Sequence, residues 1–174
     1  MTMAIAIIVL TIGVPSFQAS ISNNRKTTAV NDLTTALSMA RSTAITRRQQ
    51  ITVCKSNDGA ICNTGAGSGD WTQGWMMFTN PNGDTVLDAG EELLRVHGKL
   101  PGNGSFIGNN NVVNRVSFSP QGLARGSNGT ITYCDSRGAT KASALVIAVS
   151  GQVRHAIDEN NDNIVDVEGV NVSC

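Results

Sequence analysis

Aromatic residues are scarce in this 174-residue chain, at four Phe, two Trp and one Tyr, or 4% of the total. Glycine is abundant at 18 and asparagine is frequent. That mixture suggests short strands joined by many tight turns, because Gly and Asn accept the positive φ angles that turns require. No excess charge of either sign exists, with 13 basic and 13 acidic residues. The whole molecule therefore has no bulk attraction for nucleic acid or anionic lipid, and any such binding must come from a local patch. There is no G-x-S-x-G, no P-loop and no H-E-x-x-H. The two histidines, His97 and His155, lie far apart with no spacing that links either to a Ser or Cys nucleophile, and they read as residues at sheet edges. The longest apolar run, Met3 to Val14, is shorter than the roughly 20 residues that span a bilayer. No basic n-region precedes it and no small-residue cleavage site follows, so it does not read as a secretory signal peptide.

What the chain does have falls into two parts. After the apolar run comes a helical pattern, with Val30, Leu33, Leu37, Ala40 and Ala44 at three- and four-residue steps forming one stripe. Arg41, Arg47 and Arg48 stand near its end, where positive charge suits the helix dipole. Pro15 is expected to kink this helix without ending it, so the pattern predicts one long helix to about Gln49. From Gln50 onward, β-branched bursts alternate with turn residues: QITVC (50–54), WMMFT (75–79), LLRVH (93–97), VVNRVSF (112–118), TITYC (130–134) and ALVIAVS (144–150). These read as antiparallel strands, with a Gly/Ser-rich loop between Ala60 and Asp70. A long helix followed by a run of strands is an α+β pattern, the helix stripe packing on one sheet face.

Four cysteines, Cys54, Cys62, Cys134 and Cys174, form no close C-x-x-C pair and read as two structural disulfides in an oxidising compartment. Three pairings exist, and sequence proximity favours Cys54–Cys62, leaving Cys134–Cys174. Two acidic segments have calcium-like spacing. Asn80, Asn82, Asp84, Asp88 and Glu91 fall at positions one, three, five, nine and twelve of an EF-hand-type loop, with Val86 able to lend a carbonyl, although Thr85 stands where a glycine is expected. Asp158, Asn160, Asp162 and Asp166 repeat the first four positions, with Gly169 in place of the closing glutamate. Both also fit solvated Asx turns between strands; no other cofactor is indicated. The last third carries a basic group, Arg125, Arg137, Lys141, Arg154 and His155, which is either a phosphate-binding surface or a solvated strand face.

Taken in this order, several segments resemble the FimT/FimU and GspH group of pilin-like proteins. They are the apolar start with VPSF (14–17), the helix end ALSMARSTAITRRQQITVC (36–54), and WTQGWMMFTNPNGDTVLDAGEELLRV (71–96). The closing segments FSPQGLARG (118–126), TITYCDSRG (130–138) and VIAVSGQVRH (146–155) complete the match. The resemblance implies a pilin-like fold without enzymatic activity. Residues 1–27 would lie in the inner membrane and residues 28–174 would form a periplasmic head. Ile5, Ile7, Ile8, Val9, Leu10 and Ile12 would pack among the helices of other major or minor pilins or pseudopilins, and Pro15 would set the bend. The implied role is assembly or priming of a type IV pilus. DNA uptake and type II secretion are the alternatives. DNA-uptake members of the group use a Gly-Arg-x-Arg element; here the text is Gly151-Gln152-Val153-Arg154, so Arg154 alone carries over. The group's precursors begin with a short basic leader, a cleavage-point glycine and a nearby glutamate. Here Met1-Thr2-Met3 opens part-way into the apolar stretch, so an upstream segment with prepilin processing and methylation is expected.

Overall fold

The computed structural model describes residues 2–65 and 70–174, with side chains from Ser16 onward except that of Asn110. The first helix, α1, runs Thr2–Arg47, a rod of about 70 Å at 1.5 Å per residue. Its stripe is buried as the periodicity requires: Ala29, Val30, Leu33, Ala36, Leu37, Ala40 and Ala44 all lie in the core. The helix stops at Arg48, which adopts φ +55°, while the N–H of Gln49 donates to the carbonyl of Ala44 at 3.3 Å. This is the closing pattern normally built on a left-handed glycine, here made by an arginine.

Among the described residues ten strands follow: β1 (Ile51–Lys55), β2 (Trp75–Thr79), β3 (Leu93–His97), β4 (Ser105–Gly108), β5 (Arg115–Phe118), β6 (Gly129–Cys134), β7 (Ser143–Ile147), β8 (Val153–His155), β9 (Asp166–Val167) and β10 (Val170–Asn171). The sequence pattern anticipated one sheet under the helix, and the structure forms two. The first has the order β3-β2-β1-β5 and the second β4-β6-β7-β8, while β9 and β10 make a separate hairpin. All pairings are antiparallel. The second sheet depends on β4 and β8, short strands of four and three residues that carry too little alternation to announce themselves. Of the VVNRVSF segment only Arg115–Phe118 is strand; Val112 ends a short 3₁₀ turn, Asn110–Val112, and Val113 and Asn114 lead from it into β5.

Alternation along the strands decides what each face meets. Ile51 and Val53 of β1, Trp75 and Met77 of β2, and Val116 and Phe118 of β5 point at α1. Phe106, Ile131, Tyr133, Leu145 and Ile147 bring the second sheet's inner face into the same core. On the far side of the first sheet a smaller core forms from Cys54, Cys62, Met76 and Phe78, with Leu87 against it. Beside it, buried Asn80 donates to Thr52 Oγ1 at 2.9 Å, and Thr52 Oγ1 lies 2.8 Å from Ser117 Oγ. The tryptophan–glycine–tryptophan segment knits the halves together. Trp71 donates from Nε1 to the Val112 carbonyl at 3.1 Å. Gly74, at φ +118°, lets the backbone of β3 approach so closely that a Cβ there would stand 2.5 Å from the His97 carbonyl oxygen.

Candidate functional site

The features able to meet a partner are the free part of α1, the basic residues of the last third and the outer face of the second sheet. From Ser16 to Thr28 the helix side chains are exposed or half-exposed, Phe17 at 69%, whereas burial begins at Ala29. Two contacts reach back from this stretch. Lys26 Nζ donates to the Lys141 carbonyl at 2.9 Å, and Arg137 Nη1 donates to Asn23 Oδ1 at 2.7 Å. The side chains of Ile5, Ile7, Ile8, Val9, Leu10, Ile12 and Pro15 lie outside the described residues, as do positions 66–69 of the Gly/Ser-rich loop. Among the described residues no helix is long and apolar enough to cross a membrane.

The five basic candidates do not gather. Arg137 is held by Asp135, with its Nη2 2.6 Å from Asp135 Oδ2. That hydrogen bond holds the Asp135 carboxyl below the usual carboxylate range. Lys141 closes the same turn, which docks on α1 through its carbonyl. Arg154 and His155 are exposed on the edge strand β8, on opposite faces. Arg125 is exposed in the loop beyond β5, next to Ala124, whose N–H bonds the Val149 carbonyl in the turn between β7 and β8, away from the turn that holds Arg137 and Lys141. His97 stacks on Trp75 with centroids 4.1 Å apart and sets Nε2 3.5 Å from Asp32 Oδ2 on α1.

One arginine that sequence reasoning placed with the helix dipole does something more specific. Arg41 donates from Nε to the Gly122 carbonyl at 3.1 Å and from Nη2 to the Ser150 carbonyl at 3.0 Å. It thereby clamps the loop after β5 and the turn between β7 and β8 onto α1. Gly151, at φ +77°, makes that meeting sterically possible, since a Cβ there would fall 1.9 Å from the Gly122 oxygen. The signal for this role was the arginine inside an otherwise alanine-lined helix face.

Both disulfides are formed, Cys54–Cys62 across 8 residues and Cys134–Cys174 across 40. The second carries the C-terminal segment over the outer face of the second sheet. Two adjoining clefts of about 500 and 430 Å³ lie beneath and beside that segment, sharing Asn109, Thr130, Val167 and Glu168 as walls. Arg154 lines the second.

The acidic loops fold as chains of Asx turns. In the first, Asn80 Oδ1 accepts the Gly83 N–H, Asn82 Oδ1 the Asp84 N–H, and Asp84 Oδ1 the Val86 N–H. Asn82 Nδ2 donates to Asp84 and Asp88, and the Asp88 N–H donates to Glu91. In the second, Asp158 accepts the N–H groups of Asn161, Asp162 and Asn163. Among the described residues no three His, Cys, Asp or Glu side chains converge as they stand on a position for a metal ion.

A single helix laid across antiparallel sheets, with the chain's end stapled back by a disulfide, is a pilin-like architecture. The family described as type II transport protein GspH matches residues 29–152, and the chain belongs to that family of minor pilins and pseudopilins. The crystal structure of the type IV minor pilin FimU of Pseudomonas aeruginosa superposes with a TM-score of 0.59 at 19% identity, covering 76% of this chain and 89% of that one. A second crystal form gives 0.58 at 18% identity, covering 75% and 92%. At that identity the likeness speaks for the fold. No curated protein matches the sequence. The family is structural, so the chain is not an enzyme, and it assembles with other pilins or pseudopilins as part of a membrane-associated pilus or pseudopilus.

Proposed function

We propose that this chain is a minor pilin whose N-terminal helix enters the helical bundle of a type IV pilus and primes or caps it. The supporting observation is the division of α1. From Ala29 its stripe is buried against its own head, while residues 16–28 stand mostly exposed. A helix that continues this far beyond its own core presents surface for the helices of other subunits. In this reading Ile5, Ile7, Ile8, Val9, Leu10 and Ile12 face those neighbours and Pro15 sets the bend. Before assembly residues 1–27 lie in the inner membrane with residues 28–174 in the periplasm, the compartment in which two disulfides persist.

Site-specific photo-crosslinking from position 17 tests it. Adducts to other pilin subunits, together with loss of surface pili on deletion of the gene, are the expected result. Full-length protein free in the cytoplasm, without adducts, defeats the proposal. Intact pili with failed protein secretion would assign the chain to a type II secretion pseudopilus instead. For DNA uptake the exposed cation on the closing strands is Arg154, with Gln152 in the place of the group's first arginine. Duplex binding should therefore stay near background at physiological salt. Tight, salt-sensitive binding lost in Arg154→Ala would make the chain a DNA-uptake pilin.

A further inference from the structure

The loop from Asp158 to Asp166 holds one feature its own hydrogen bonds leave unexplained. Asp166 is 3% exposed. Its Oδ2 accepts the Glu159 N–H at 2.8 Å, but its Oδ1 is buried with no hydrogen-bond partner. A buried carboxylate oxygen without a donor is costly and calls for a counterpart. The direction in which it faces is fixed by the hairpin. Asp166 pairs with Asn171 across β9 and β10, and directly opposed residues project to the same side. Asn171 uses that side to reach the loop, its Nδ2 donating to Asp162 and its Oδ1 accepting from Asn160 Nδ2. The unpartnered oxygen therefore belongs to a side chain on the same side of the hairpin as Asn171, the side from which Asn171 reaches Asn160 and Asp162.

We propose that this loop binds a calcium ion. The oxygens available are those of Asp158, Asn160, Asp162, Asp166 and Asn171 together with the Ile164 carbonyl. Six oxygen donors are what calcium takes at minimum. The backbone is already wound for the purpose: Asn161 and Asn163 sit at φ +63° and +70°, while the Ile164 N–H is drawn to Asp162 Oδ1. The carboxylates stand apart because the Asn160 and Asn171 amides donate to Asp162. Half a turn of each amide presents its carbonyl oxygen in place of its NH₂. The loop at 80–91 shares one sign, since Glu91 Oε1 also lacks a hydrogen-bond partner, but Glu91 is only half-buried and the rest of the loop is committed elsewhere. Asn80 is tied by its amide to Thr52 and to the Asp84 carbonyl, and its left-handed residue is Gly83 rather than position six. Calcium at 158–166 would fasten the β9–β10 hairpin at its open end, the end from which the chain runs on to the Cys134–Cys174 staple.

The test is calorimetric titration of the full chain in detergent, stripped with EGTA, with calcium chloride and in parallel with magnesium chloride. One calcium per chain is expected, with a dissociation constant of about 10⁻⁴–10⁻³ M, as in extracellular modules, and magnesium at least about tenfold weaker. Asp166→Asn and Asp162→Asn keep the side-chain shape and remove the charge, and each should weaken calcium by about tenfold or more, while Asp88→Asn leaves it unchanged. Thermal melting in EGTA confirms that each variant is folded. No calcium heat up to about 10 mM overturns the proposal, as does binding that survives Asp166→Asn and disappears in Asp88→Asn. The assembly tests above have separate readouts, so either proposal can fail alone.

Discussion

Both sheets bury their inner faces against α1 and part company on the outside. In the first sheet every residue of β1 and β2 is buried, because the Cys54–Cys62 loop and the Asx turns after β2 close over Met76 and Phe78. On the second sheet the outer face is mixed: Thr130 and Ala144 are buried, Thr132 and Val146 half-buried, and Ile107 is 56% exposed. There the cover is the chain's own end, held by a disulfide that closes 40 residues. One sheet has a second core and the other has a strap. The difference separates a face that serves stability from one left accessible.

Truncation should expose that contrast most strongly. Phe78→Ala, in the second core, should cost about 3–5 kcal/mol, while Val146→Ala on the strapped face should cost under about 1 kcal/mol. Urea unfolding of both variants gives the comparison, and equal costs would erase the distinction. The disulfides should rank the other way. By loop length, removing Cys134–Cys174 as a double alanine variant should cost about 4 kcal/mol, against about 2.5 kcal/mol of chain entropy for Cys54–Cys62. A larger loss at Cys54–Cys62 would show that packing around its buried sulfurs outweighs its short loop.

The pH dependence sharpens the picture at the turn after β6. The Asp135 carboxyl is held below its ordinary range by Arg137, so the folded state binds its proton more weakly than the unfolded chain. Its stabilisation is present above the ordinary carboxylate range and is lost as pH falls through the depressed folded value. Asp135→Asn should flatten the acid limb of a stability–pH curve below about pH 4, and an unchanged limb would count against the pair. The smallest effect concerns the helix end. Arg48→Gly relieves a left-handed arginine and should stabilise by about 1 kcal/mol, read as a raised melting temperature.

The sequence made β2 and β3 legible at their observed bounds, since WMMFT and LLRVH stand between clear turn residues. It left β4 hidden, because Ser105–Gly108 offers two apolar residues and ends on glycine, and with β4 went the second sheet. The helix stripe was readable because 3.6-residue periodicity is local, whereas the division of its partners between two sheets is a property of tertiary packing. The basic residues were visible as charges, yet the ties of Arg137 to Asp135 and Asn23 come from a turn and from a helix far away in the chain. Similarly, the spacing of Asp158, Asn160, Asp162 and Asp166 could be read directly. The burial of Asp166 could not, because it depends on a hairpin of two-residue strands.

The Arg41 clamp has a mechanical meaning. Two bonds from one helix residue grip loops belonging to different sheets, and the buried stripe from Ala29 to Ala44 runs alongside them on the same rod. A pull along the axis of α1 loads these contacts together, in shear, so that none can be peeled away before the next. Tension entering through the helix is thus shared between the two sheets.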